Sequence, residues 1–157
     1  MSGIVLDDDA YCFCCGRDNP IGLRLQFEET PEGRMRTLWT PAREHQGFKD
    51  IVHGGLVATV LDEVMVRLLY LRDIQAVTAG METKLIKPVQ WGRTYRFEGW
   101  IVEDRGRAVI TESEAYDAET GDRARHLEVT LGGRVDRAER ELTLAGGSSS
   151  PLFYSEA

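Results

Sequence analysis

The residues with the clearest chemical potential stand between positions 53 and 63. His53-Gly54-Gly55 opens an apolar run, and Asp62-Glu63 interrupts it. Two glycines at the start of a helix allow close backbone approach, and the first helical amides have no acceptor inside the helix. Aided by the helix dipole, such amides form a site for a polarised carbonyl oxygen or an anion. The same pattern also suits glycines that only permit tight helix–sheet packing, with His53 as a helix-start residue. Spacing alone leaves both readings open.

Asp62 is a carboxylate among Val60, Leu61 and Val64, an expensive placement unless the group is paired or used. It lies nine residues beyond His53, roughly 13 Å along a helix at about 1.5 Å per residue. One substrate carbonyl cannot be polarised at the helix start and attacked by a base held that far away. The two groups serve one site only if two copies of the helix run antiparallel across an interface, with Gly54 from one subunit and Asp62 from the other. The alternative is a solvated Asp62-Glu63 pair on the polar side, with Arg67 as a neighbour one turn on.

The elements around these residues follow from periodicity. From Gly54, the residues Leu56, Val57, Val60, Leu61, Val64, Leu68 and Leu69 recur at spacings of three and four, which predicts a broadly apolar helix ending near Asp73. Upstream, Cys12 to Ile21 is rich in turn formers and reads as a compact loop. Leu23, Leu25 and Phe27 alternate with polar residues as in a half-buried strand, and Pro31-Glu32-Gly33 turns the chain into a second strand, Met35 to Thr40. Pro41 to Ile51 reads as an irregular polar loop. Four more strands are expected at Ala76 to Lys87, Thr94 to Val102, Ala108 to Tyr116 and Ala124 to Leu131, separated by short breaks that favour antiparallel pairing. One long helix with such a sheet is an α+β layout, most simply a curved sheet wrapped around the helix, with dimerisation covering what remains exposed. The expected organisation is an acidic lead-in at 1–11, one domain at 12–136, and a weakly ordered tail at 137–157.

Composition narrows the partners. With 157 residues, 42% hydrophobic and 29% charged, the chain suits one soluble domain. A net charge of -7 opposes a nucleic-acid partner, although a few local cations could still hold a phosphate. Trp39, Trp91 and Trp100 are accordingly read as core or interface residues. Three clustered cysteines, Cys12, Cys14 and Cys15, make no disulfide framework and fit a reducing cytoplasm. No signal peptide and no membrane span are read from the sequence. The C-x-x-C at Cys12 and Cys15 supplies only half of a tetrahedral zinc site, and His45, His53 and His126 are scattered, so small residues packing a tight loop are expected instead of a metal.

The run HGGLVATVLDEVM resembles the signature of the hotdog-fold acyl-CoA thioesterases, in the branches typified by PaaI and by 4-hydroxybenzoyl-CoA thioesterase. CFCCGRDNPIGLRL resembles an N-terminal motif of this group, HQGFKDIVHGG its loop before the helix, and KLIKPV its central strand. The similarity spans roughly residues 12 to 133. It implies a hotdog fold, in which an antiparallel sheet wraps one long central helix, and an enzyme that hydrolyses an acyl- or aryl-CoA thioester to CoA and a free acid.

Carried onto this sequence, the resemblance implies that Gly54 offers its amide to the thioester oxygen and that Asp62 is the nucleophile or general base. Thr78, ten residues before Pro88, would position the attacking water. Gln46 would hold the thioester, and His53 would orient the loop. Gly55, Glu63 and Met81 are expected at the substrate, with Glu63 the alternative acid. Met65, Leu69, Tyr70 and Met81 are candidates to shape the acyl pocket; Lys84, Lys87, Arg93, Arg105 and Arg107 are candidates for the CoA phosphates. No cofactor is implied, since CoA belongs to the substrate, and a homodimer or dimer of dimers is expected. Two rivals remain: a hotdog acyl-CoA hydratase or dehydratase, and a non-catalytic acyl-CoA or small-ligand binder.

Overall fold

In a computed structural model, which describes residues 8–85 and 87–134, one helix is seated in the concave face of a sheet. The helix, α1, runs Gly54–Leu71. Its inward residues Val57, Val60, Leu61, Val64, Met65, Leu68 and Leu69 are all buried, as their three-and-four spacing predicts. Each such side chain contributes about 1.5–3 kcal/mol through removal from water. The helix ends with Asp73 in the left-handed region, φ 58°. Ile74 N–H there reaches back to the Leu69 carbonyl at 2.9 Å, which satisfies an otherwise orphaned acceptor.

The strands are β1 (Phe27–Glu29), β2 (Met35–Trp39), β3 (Gln46–Phe48), β4 (Ile51–Val52), β5 (Ala76–Leu85), β6 (Tyr95–Asp104), β7 (Ala108–Asp117) and β8 (Arg123–Arg134). Six form one antiparallel sheet in the order β1-β2-β6-β7-β8-β5. This is the expected α+β arrangement. Alternation decides the faces. On β6, Tyr95, Phe97 and Gly99 are buried toward the helix, while Arg96 and Glu98 between them are half-exposed and paired at 3.1 Å. On β7 the buried inner residues Val109, Thr111, Ser113 and Ala115 are all small, which lets the helix approach the sheet closely.

Two expectations need correction. Leu23 and Leu25 precede the first strand: their amides bond the Phe13 and Cys14 carbonyls, each at 2.8 Å, so this stretch closes the cysteine loop. The ladder begins only at Phe27. The region 41–51 is also more regular than an irregular loop. It holds a 3-10 turn at Arg43–His45 and a small hairpin of β3 against β4, with Gln46 opposite Val52. Both β3 and the turn lack buried residues, so neither carries an apolar signature. The expectations for the tail at 137–157 and for most of the lead-in at 1–11 fall outside the described residues.

Gly99 marks the closest helix–sheet contact. A methyl group there would lie 3.1 Å from both Val64 Cγ1 and Met65 Cγ. Gly99→Val is therefore expected to lower unfolding stability in urea by about 1–3 kcal/mol through overpacking. An unchanged midpoint would contradict this seating of α1.

Candidate active site

The hairpin β3–β4 delivers the chain to the helix start. His53 is the N-cap, and its Nδ1 accepts the Gly55 amide at 3.0 Å. An Nδ1 that accepts carries no proton, so His53 fixes the loop as a capping group. The Leu56 and Val57 amides both turn to the His53 carbonyl, at 3.0 and 3.3 Å. Of the first four helical amides, only that of Gly54 is left without an acceptor among the described residues. A free N–H at the positive end of a helix is suited to a carbonyl oxygen that becomes negative.

Two glycines make room for the His53 ring. A methyl group on Gly55 would stand 3.0 Å from His53 Nδ1, and one on Gly47 would stand 3.1 Å from His53 Cα and 3.2 Å from Cδ2. Gly47 was missed in the sequence, although its place beside Gln46 in HQGF is the signal that would have found it. Gln46 itself is exposed in β3, opposite Val52 and so next to the helix start.

Asp62 faces a different direction. Its Oδ1 accepts the Thr78 hydroxyl at 2.8 Å. Thr78 reaches it because β5 is irregular there. The register steps from Thr78 opposite Leu131 to Gly80 opposite Thr130, leaving Ala79 as an extra residue. Such a bulge re-aims the neighbouring side chains. Burial holds the Asp62 carboxyl above the ordinary aspartate range; the Thr78 hydrogen bond opposes this and the Glu63 charge adds to it.

Glu63, about 100° further round the helix, looks the other way. It pairs with Arg67 at 3.1 Å, the one-turn neighbour expected, and accepts from the Cys15 and Cys12 thiols at 3.3 and 3.7 Å. Burial raises the Cys14 thiol strongly and pushes Cys15 up to about 12, in both cases with the Glu63 charge adding to the effect. The two adjacent acids therefore belong to separate environments. This division is invisible in sequence, because the thiol partners of Glu63 lie about fifty residues upstream.

The structure thus brings together Gln46, His53, Gly54 and Gly55 at one place, and Asp62 with Thr78 at another. Gly54 and Asp62 are eight residues apart on one helix, about 12 Å. Of the candidate pocket residues, Met65 and Leu69 are buried in the core and line no open site, while Tyr70 and Met81 are about half exposed. Among the candidate phosphate contacts, Lys87, Arg93 and Arg105 are paired with Asp122, Asp117 and Glu103 at 3.0, 2.7 and 2.7 Å; Lys84 and Arg107 are exposed. A cleft of about 740 Å³ opens beside Cys15, Arg17, Phe27, Arg67 and Tyr70. Neither Asp62 nor Thr78 lines it.

A family model described as the thioesterase superfamily matches residues 49–124, the stretch from before His53 to the start of β8. Among solved structures, a thioesterase superfamily protein aligns with a TM-score of 0.73 at 22% identity. The alignment covers 78% of this chain, and the chain spans 63% of that protein. The fold is the hotdog fold. The PaaI protein of E. coli, from its phenylacetic acid degradation operon, shares this hotdog architecture with a TM-score of 0.65 at 13% identity, over 70% of this chain and 83% of its own. A hypothetical thioesterase of Streptococcus pneumoniae, solved with coenzyme A, gives 0.64 at 14% identity, over 70% and 90%. No curated protein sequence matches the hotdog chain significantly.

The electrostatics of Asp62 can be tested directly. Carbon-13 NMR titration should show its carboxyl losing a proton at higher pH than an ordinary aspartate. Thr78→Val removes a bond to the charged form and should move the midpoint further up. Glu63→Gln removes a like charge and should move it down. The reverse order would contradict the geometry.

Proposed function

We propose that this hotdog protein is an acyl-CoA thioesterase, hydrolysing an acyl- or aryl-CoA thioester to a free acid and CoA. The observation that carries the reading is the amide of Gly54 at the start of α1, which has no acceptor among the described residues, on the same helix as a half-buried carboxylate already oriented by a threonine. Thioester hydrolysis calls for these two elements, a donor for the developing oxyanion and a base for water. The match to the thioesterase superfamily and the fold shared with a thioesterase solved with coenzyme A support the substrate class.

In this reading Gly54 of one subunit and Asp62 of a second build each site. The partly buried stripe of Ala58, Thr59, Asp62 and Val66 is the surface that a second α1 would cover in an antiparallel crossing. Among the described residues β5 pairs only with β8, and its free edge, with Met81 48% exposed, offers a second copy a strand to extend. A homodimer is thus the smallest active unit, and a dimer of dimers is compatible with it.

The reaction then proceeds without a cofactor. The thioester oxygen takes the Gly54 N–H, with Gln46 beside it and His53 holding the loop. Asp62, anchored through Oδ1 to Thr78, uses its other oxygen to accept a proton from water as that water attacks the carbonyl carbon. The tetrahedral oxyanion collapses, the carbon–sulfur bond breaks, and CoA departs as a thiolate that is protonated to the thiol. Direct attack by Asp62, giving a mixed anhydride that water then opens, uses the same groups. Met81, half exposed on β5, is the candidate to meet the acyl group, and Gly55 leaves room for the His53 ring.

Thiol release from a panel of acyl-CoAs tests this. Asp62→Ala should abolish turnover on the best substrate. Gly54→Pro is the informative partner variant. Proline is tolerated at the first helical position, yet it removes the N–H, so kcat should fall about 100- to 1000-fold with the helix intact. Wild-type rates in either folded variant would overturn the assignment. Hydration of an enoyl-CoA without thiol release would favour the hydratase class instead.

A further inference from the structure

We propose that Cys12, Cys14 and Glu63 form a site for a borderline-soft divalent cation, zinc by preference, that staples the N-terminal loop to α1. One ligand atom from each of these three residues lies within 4.8 Å of the other two. Cys12 and Cys14 alone are half of a site, and the helix supplies a third donor: the Glu63 carboxylate, 14% exposed, aimed into the cysteine loop.

The loop is built before any ion arrives. Gly16 N–H closes onto the Cys12 carbonyl at 2.8 Å, and the Phe13 and Cys14 carbonyls accept the Leu23 and Leu25 amides. Any side chain at Gly16 would collide with backbone, since a methyl group would fall 2.4 Å from Cys12 N and 2.6 Å from the Ala10 carbonyl oxygen. The sulfurs are therefore presented by a tight turn with no room to rearrange widely. Cys15, 3.3 Å from the same carboxylate oxygen, is contacted by the Arg67 guanidinium and stands outside this trio.

Donor chemistry selects the ion. Two thiolates and one carboxylate suit zinc and its spectroscopic substitute cobalt, whereas magnesium and calcium prefer oxygen throughout. Binding releases the two thiol protons to solvent. A dication with two thiolates and a carboxylate carries a net charge of minus one. The Arg67 guanidinium, held on Glu63 at 3.1 Å, brings the assembly to neutrality. This proposal is independent of the thioesterase reading and concerns a group one residue from Asp62 that faces away from it.

The test is a titration of the full-length protein, reduced and freed of metal by chelation, with cobalt(II). Wild-type protein should take one equivalent and develop a sulfur-to-cobalt charge-transfer band with strong visible bands, and one equivalent of zinc should bleach both. Zinc should also raise the melting temperature. Cys12→Ser, at a half-buried position, and Glu63→Gln should each weaken cobalt binding at least about tenfold with an unchanged far-ultraviolet circular dichroism spectrum. Cys12→Ser should also lose the zinc-dependent rise in melting temperature. No sulfur-to-cobalt band in wild-type protein, or equal affinity in wild-type and Cys12→Ser protein, would overturn the proposal.

Discussion

The seating of α1 in the concave sheet governs where every other group can be. The helix enters closely because β6 presents Gly99 and β7 presents a row of small side chains. Seven of its residues are consumed by that contact. What remains is a narrow flank. On one side of it Asp62 meets Thr78 from β5, and on the other Glu63 meets the cysteine loop. Because α1 is packed along its buried face, Asp62 cannot swing toward Gly54, about 12 Å away by helical rise. The distance between donor and base is therefore a property of the fold, and in the proposed reading a site that uses both groups draws on more than one copy.

The same seating explains why two neighbouring acids differ. Asp62 points to a face on which one hydroxyl is its only neighbour by hydrogen bond among the described residues. Glu63 is enclosed by thiols and a guanidinium. One is disposed to accept a proton from outside, since burial already holds its carboxyl above the ordinary range. The other is committed to neighbours within its own chain. A helix that turns 100° per residue separates the surroundings of two neighbouring carboxylates.

Much of this could be read from residue pattern alone. The helix and the four long strands β5 to β8 follow from periods of 3.6 and 2, and Asp62 was suspect because a carboxylate in an apolar run needs a reason. The hairpin of β3 and β4 was not legible, because a pair of such short strands with one face in solvent shows no alternation. Leu23 and Leu25 do alternate like a strand, but their backbone partners are the Phe13 and Cys14 carbonyls, a tertiary contact that no local pattern encodes. Thr78 entered only through the family resemblance, since its reach to Asp62 depends on a bulge at Ala79. The meeting of Glu63 with Cys12 and Cys15 likewise joins segments about fifty residues apart. Residue pattern told of elements; the pairing of side chains across them required the fold.

The central claim, that each site takes its amide from one subunit and its carboxylate from another, is tested most directly by subunit mixing. Asp62→Ala and Gly54→Pro proteins, each inactive alone, would be unfolded together, refolded and assayed for thiol release. Random pairing makes half of the dimers mixed, and each mixed dimer rebuilds one of its two sites, so about a quarter of wild-type activity should return. No recovery in mixtures that demonstrably contain mixed dimers would contradict the account, because it would place both groups of a working site in the same chain.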